Sequence, residues 1–304
     1  MQNIIENIMK HSIEYTSYGN VADYIPELAK ANRNEFGICI CNGEEMYLCG
    51  DAQKRFTAQS VIKPIILLLA LADSGVEAVE KLVGTESTGK PFDAFNYSDQ
   101  ALKNAHINPM INTGAIALCT LIKGDTFEEK FQRLLRLTQE LANNSDIDID
   151  MHVYLSEKET GNKNRALAYM LKAYKMIDAD AEEVLDCYFR ACSVNVTCKD
   201  LSIIGNTLAN RGYCSLRKKQ IVKNEYAKYV NAVLMTCGMY DGSGEFAVKV
   251  GVPAKSGVGG GIMAVVPGKM GIGLYSPALD KKGNSFAGVK ALEMLSNKLD
   301  LSIF

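Results

Sequence analysis

Histidine is scarce and scattered. The 304 residues hold three, His11, His106 and His152, far apart and outside any H-E-x-x-H spacing, so a histidine-based metal site has no motif behind it. Any catalysis must manage without a histidine motif. A charge excess of one sign is missing as well: the net charge is −2, with no basic field for nucleic acid and no acidic tail. No apolar stretch reaches eighteen residues, and the opening segment 1–8 has no basic start, apolar block or small-residue cleavage site, so neither a membrane span nor a secretory leader is read. C-x-x-C pairs are absent; the nine cysteines are an odd number, several inside apolar segments where cysteine acts as a small hydrophobe. A cytoplasmic protein is expected. What is present is 47% hydrophobic residues, enough at this length to bury a full core as one large domain or two lobes.

Along the chain, strand signals sit at both ends and helical ones in the middle. Residues 3–15 carry Ile5, Ile8, Met9 and Ile13 at helical spacing, and 36–41 and 46–49 are β-prone runs joined through Asn42-Gly43, a hairpin signal. Residues 84–98 read as a long loop. From about 112 to 238 the pattern is helical: Asp125-Thr126-Phe127-Glu128 reads as a capping box, and helices are expected at 165–177, 181–193, 198–211 and 223–236. Strands are expected at 246–250, 261–266 and 270–275, and a closing helix at 285–299. The expectation is an α+β fold, a five-stranded antiparallel sheet covered by the terminal helices, with an inserted all-helical lobe. The sheet lobe would span about 1–58 plus 240–304 and the helical lobe about 59–239, together one structural unit.

Chemistry is concentrated at Phe56-Thr57-Ala58-Gln59-Ser60-Val61-Ile62-Lys63-Pro64, which runs into an apolar block. Ser60 and Lys63, three apart, share a helix face, and a lysine kept neutral by desolvation can take the serine proton. Pro64 fits only a first helical turn, which puts Ser60 at the helix entrance, where the positive dipole end favours developing negative charge. A bare S-x-x-K is weak alone, being common on solvated helix surfaces. A second stretch, Lys255-Ser256-Gly257-Val258-Gly259-Gly260-Gly261, has the wrong spacing for a phosphate loop and leads into a strand; it could be a tight turn with close backbone packing. A late Lys-Ser-Gly beside an earlier Ser-x-x-Lys is also the arrangement of penicillin-recognising serine enzymes.

Longer runs narrow this further. Asn108-Pro109-Met110-Ile111-Asn112-Thr113-Gly114-Ala115-Ile116, Cys237-Gly238-Met239-Tyr240-Asp241-Gly242-Ser243-Gly244, the segment 253–267 and the segment 276–285 closely resemble the serine-dependent glutaminase family, and the resemblance extends from about Tyr24 to the C-terminal helix. It implies a β-lactamase-like fold, hydrolysis of L-glutamine to L-glutamate and ammonia, no metal or organic cofactor, and a homo-oligomer, dimer or tetramer. Carried over by position, it makes Ser60 the nucleophile, Lys63 its base and Tyr240 the proton relay to departing ammonia, with the backbone N–H groups of Ser60 and Val258 as oxyanion hole. Tyr24, Asn112, Glu157, Asn164 and Tyr188 would hold substrate, Glu157 on its α-ammonium and the asparagines and tyrosines on its α-carboxylate. Each has a plain structural alternative: Asn112 and Asn164 could cap helices, and Tyr188 and Tyr240 could be core aromatics. Thr113, Asn162-Lys163 and 85–88 depart from the usual family wording without removing a site group. The rival readings are a penicillin-binding or β-lactamase-type hydrolase, expected outside the cytoplasm, and a non-catalytic amino-acid-binding module.

Overall fold

Five short strands form the expected antiparallel sheet. In the computed structural model, which describes residues 1–89 and 107–304, they are β1 (Gly37–Asn42), β2 (Glu45–Gly50), β3 (Ala254–Ser256), β4 (Gly261–Val266) and β5 (Met270–Tyr275), in the order β2-β1-β5-β4-β3. Asn42 pairs with Glu45, leaving Gly43 and Glu44 as a two-residue turn in which Gly43 has φ +75°, a conformation glycine adopts without penalty. The helices run α1 (Gln2–Ser12), α2 (Lys63–Leu82), α3 (Asn112–Cys119), α4 (Phe127–Ala142), α5 (Met151–Thr160), α6 (Asn162–Ala173), α7 (Ala181–Cys192), α8 (Cys198–Ala209), α9 (Asn224–Cys237), α10 (Ser243–Lys249) and α11 (Phe286–Leu299). The loop expected at 84–98 lies, from residue 90 on, outside the described residues.

Strand alternation separates two cores. Ile38, Ile40, Ile262, Ala264, Ile272 and Leu274 share one face and pack with Ile5 and Ile8 of α1 and Leu292 and Leu295 of α11. The opposite face carries Gly271 and Gly273, and α8 lies directly on them. A Cβ on Gly273 would sit 2.0 Å from the Cys198 carbonyl oxygen, and one on Gly271 2.1 Å from the Ser202 carbonyl oxygen. Helix α8, expected within the helical lobe, is therefore the layer that joins that lobe to the sheet.

At the centre of the helical lobe is α2. Residues 63–71 are all buried, with Pro64 in its first turn as expected, and each of the side chains Ile65, Ile66, Leu67, Leu68 and Leu69 contributes roughly 1.5–3 kcal/mol by leaving water. Gly75, at φ +81°, interrupts the helical backbone before it ends at Leu82.

Two local expectations are corrected. Residues 246–250, expected as a strand, lie in α10 and its C-cap. Phe246 and Val250 are buried while Val248 is 88% exposed, and Glu245 pairs with Lys249 one turn on at 2.7 Å. Burial at a spacing of four fits both periods, and the exposed Val248 decides for the helix. The remaining strand is the three-residue β3. The capping box of α4 is shifted by one residue: Thr126 Oγ1 accepts from Glu129 N at 3.2 Å, and the Glu129 carboxylate accepts from Thr126 N at 3.4 Å.

Candidate active site

Ser60 lies where sheet and helical lobe meet. Phe56–Thr57 pairs with Asn195–Val196, Ala58 N donates to Val194 O at 2.8 Å, and the chain then turns through a 3₁₀ helix, Gln59–Ile62, before α2 starts at Lys63. In a 3₁₀ turn residues three apart eclipse, so Ser60 and Lys63 stand one above the other. The residue before the serine, Gln59, has φ +47°, a strained value for a side chain that is not glycine.

Lys63 is fully buried and donates to Asn112 Oδ1 at 2.7 Å and to Met110 O at 3.3 Å; Asn112 Nδ2 in turn donates to Asn164 Oδ1 at 2.9 Å. This relay removes the capping alternatives. The N-caps of α3 and α6 are Ile111 and Gly161, so both asparagines turn their side chains to the site. On the other side of Ser60, the Tyr240 hydroxyl donates to Ser256 O at 3.0 Å and is hydrogen-bonded to the Ser60 hydroxyl. Burial raises the Tyr240 phenol above its ordinary range, and the bond to Ser60 acts the other way. Tyr240 is the second strained residue here, at φ +56°.

The Gly257–Gly261 turn packs on the serine segment. Gly257 N donates to Gly261 O at 2.9 Å, and a Cβ on Gly257 would sit 2.8 Å from the Ala58 carbonyl oxygen, so this backbone, with buried Val258 next in line, runs beside the entrance of α2.

A cavity of about 330 Å³ opens over Ser60. Tyr24, Asn112, Glu157, Asn164 and Tyr188 line it together with Ser60, while Val258 and Tyr24 border a larger adjoining depression at its mouth. Lys63 and Tyr240 are buried beneath the lining. Tyr24 is half exposed, Tyr188 almost fully buried. Glu157 is buried among these groups, and burial pushes its carboxyl up to about 7, against a hydrogen bond from Gln59 and the charge of Lys63. Several further lining residues were not expected, among them Gln59, whose polar side chain just before the serine was a usable signal, and Cys192, which carried none. The Cys192 thiol is pushed up to about 12 by burial, so it is protonated at neutral pH.

An antiparallel sheet with a helical layer on each face, a mainly helical lobe that, contrary to the all-helical expectation, also carries the two-residue strands Asn195–Val196, Tyr213–Cys214 and Lys219–Gln220, and a Ser-x-x-Lys at the start of the lobe's central helix define a β-lactamase-like protein. The chain belongs to the glutaminase family, whose sequence model, described as Glutaminase, matches residues 19–304. It is 50% identical over 306 residues to a glutaminase of Clostridium tetani (strain Massachusetts / E88), covering 100% of both chains, and 50% identical over 304 residues to one of Clostridioides difficile (strain 630), covering 100% of this chain and 98% of that one. Among solved structures it is similar to one described as the covalent complex between the Bacillus subtilis glutaminase YbgJ and 5-oxo-L-norleucine, formed by reaction with 6-diazo-5-oxo-L-norleucine, with TM-score 0.91, 36% identity, and 100% and 99% of the two chains covered. The enzyme is a glutaminase.

Proposed function

We propose that this glutaminase hydrolyses the side-chain amide of L-glutamine by way of a glutamyl ester on Ser60. Ser60 Oγ attacks the amide carbon while its proton passes to neutral Lys63; the former carbonyl oxygen, now negative, rests on the N–H groups of Ser60 and Val258. The C–N bond then breaks, Tyr240 delivering the proton that lets nitrogen leave as ammonia, and water, deprotonated by the same groups, cleaves the ester to L-glutamate. Glu157 takes the α-ammonium; Tyr24, Asn112, Asn164 and Tyr188 surround the α-carboxylate. The observation that carries this reading is the Ser60–Tyr240 hydrogen bond with buried Lys63 one turn on, opening into a cavity that holds a buried carboxylate. The covalent adduct named for the Bacillus subtilis relative supports a nucleophilic route.

The chain acts as a single domain, 1–304, in which the joint between the lobes is the site; the layering of α8 on the sheet supports this. A cytoplasmic homo-oligomer, dimer or tetramer, is its proposed form, and nine cysteines with free thiols support the reducing compartment. The test is ammonia release from purified protein given L-glutamine. Wild type should turn over with chelator present, and Ser60→Ala should lose nearly all activity while still binding glutamate. Turnover of β-lactams without turnover of glutamine, or an active Ser60→Ala, would overturn the proposal.

A further inference from the structure

Two lysines are buried among the described residues, and the reaction above uses one of them. The other, Lys255 on β3, donates from Nζ to Ser256 O at 2.6 Å and to Gly238 O at 3.1 Å, and the same Nζ lies 4.2 Å from the centroid of the Tyr240 ring. Ser256 O is also the acceptor of the Tyr240 hydroxyl, at 3.0 Å. A carbonyl oxygen has two lone pairs, and here the lysine and the phenol occupy one each. The amine beneath the ring and the shared acceptor thus hold the phenol from two directions. Tyr240 needs such support: its φ of +56° is a conformation that costs on the order of 1–3 kcal/mol and persists only where its surroundings over-determine it. Gly238 O, the second acceptor of Lys255, anchors the turn just before Tyr240 and also accepts Ser256 N at 3.2 Å. We propose that Lys255 is a positioning residue for Tyr240, holding the phenol hydroxyl on Ser60 through the shared Ser256 carbonyl and the contact beneath the ring. This rests on the role given to Tyr240 above. Burial disfavours the charged amine, and the charge of Lys63 does so too, but neutral or protonated, Nζ remains a donor to both carbonyls.

A lysine that only ties β3 to the 238–240 turn would show the same hydrogen bonds, so the test is a double-mutant cycle on glutamine turnover. Lys255→Met keeps the aliphatic stem and removes the donors; it should lower kcat on the order of 10²-fold, the cost of a misplaced catalytic group, with KM within about threefold of wild type. In a Tyr240→Phe background the same substitution should change kcat by less than about threefold, because the group it positions is gone. Lys255→Gln, which keeps an amide NH₂ donor group on a shorter stem, should fall between wild type and Lys255→Met. Equal losses in both backgrounds, or a loss confined to KM, would overturn the proposal, as would loss of the fold in both Lys255 variants. A Tyr240→Phe enzyme at full rate would instead remove the role of Tyr240 itself, and this inference with it.

Discussion

Glu157 makes the site sensitive to pH at the residue scale. Its carboxyl titrates near 7 in the folded chain against an ordinary value of 4.5, so between these the native state keeps a proton the unfolded chain has lost. Stability contributed by this residue therefore declines as pH rises from about 4.5 through about 7, and the penalty is complete above that. If Glu157 takes the α-ammonium as proposed, substrate reverses the preference, because an ammonium binds the carboxylate. KM for glutamine should accordingly fall as pH rises through about 7, with kcat less affected, as steady-state kinetics across pH 5.5–8 would reveal. Glu157→Gln should flatten that step and raise KM at least ~30-fold, the lower bound for losing one partner of a buried charge pair. A pH step in KM that survives in Glu157→Gln belongs to another group. Lys63→Arg keeps charge but cannot serve as base, so it should be nearly inactive. Among the residues, the juxtaposition of Ser60 and Lys63 was legible from their three-residue spacing ahead of an apolar block, and the grouping of Tyr24, Asn112, Glu157, Asn164 and Tyr188 around one cavity only from the family resemblance, position by position. Cys192 was not, since a buried thiol in an apolar helix looks like any small hydrophobe until the fold turns it toward the cavity.

At the scale of elements, the turn after β3 and the face beneath α8 matter most. If Val258 serves through its N–H, Val258→Ala should cost little, whereas Val258→Pro, folded and still binding glutamate, should lose about 10²- to 10³-fold in kcat. A folded proline variant at near wild-type rate would place the oxyanion elsewhere. Gly273→Ala addresses packing: its Cβ would meet the Cys198 backbone at 2.0 Å, so α8 must lift from the sheet. Denaturant unfolding should show a loss of about 1–3 kcal/mol or more. The hairpin at Asn42-Gly43 and most helices were readable from local periodicity and turn chemistry. The α10 helix was misread because burial at 246 and 250 fits both periods, and the docking of α8 was hidden because it depends on glycines some seventy residues further along the chain.

For the molecule as a whole, the site sits where two cores meet, one packed between the sheet and the terminal helices and one filling the helical lobe. The serine lies on the 3₁₀ turn that leads into the lobe's central helix and Tyr240 precedes a helix that packs with the sheet-lobe core, so the groups proposed to react are held by both bodies at once. No helix among the described residues is long and apolar enough to cross a membrane. This arrangement also supplies a competitor that can decide the mechanism: Cys192 lines the same cavity as Ser60, and a reactive glutamine analogue meets both. Protein treated intact with 6-diazo-5-oxo-L-norleucine, then digested and sequenced by mass spectrometry, therefore shows which of the two side chains is the nucleophile. A single adduct on Ser60, absent from Ser60→Ala and from Lys63→Arg and suppressed by glutamate, is the result predicted; an adduct on Cys192, or one on Ser60 that forms equally well without Lys63, would contradict the serine–lysine account.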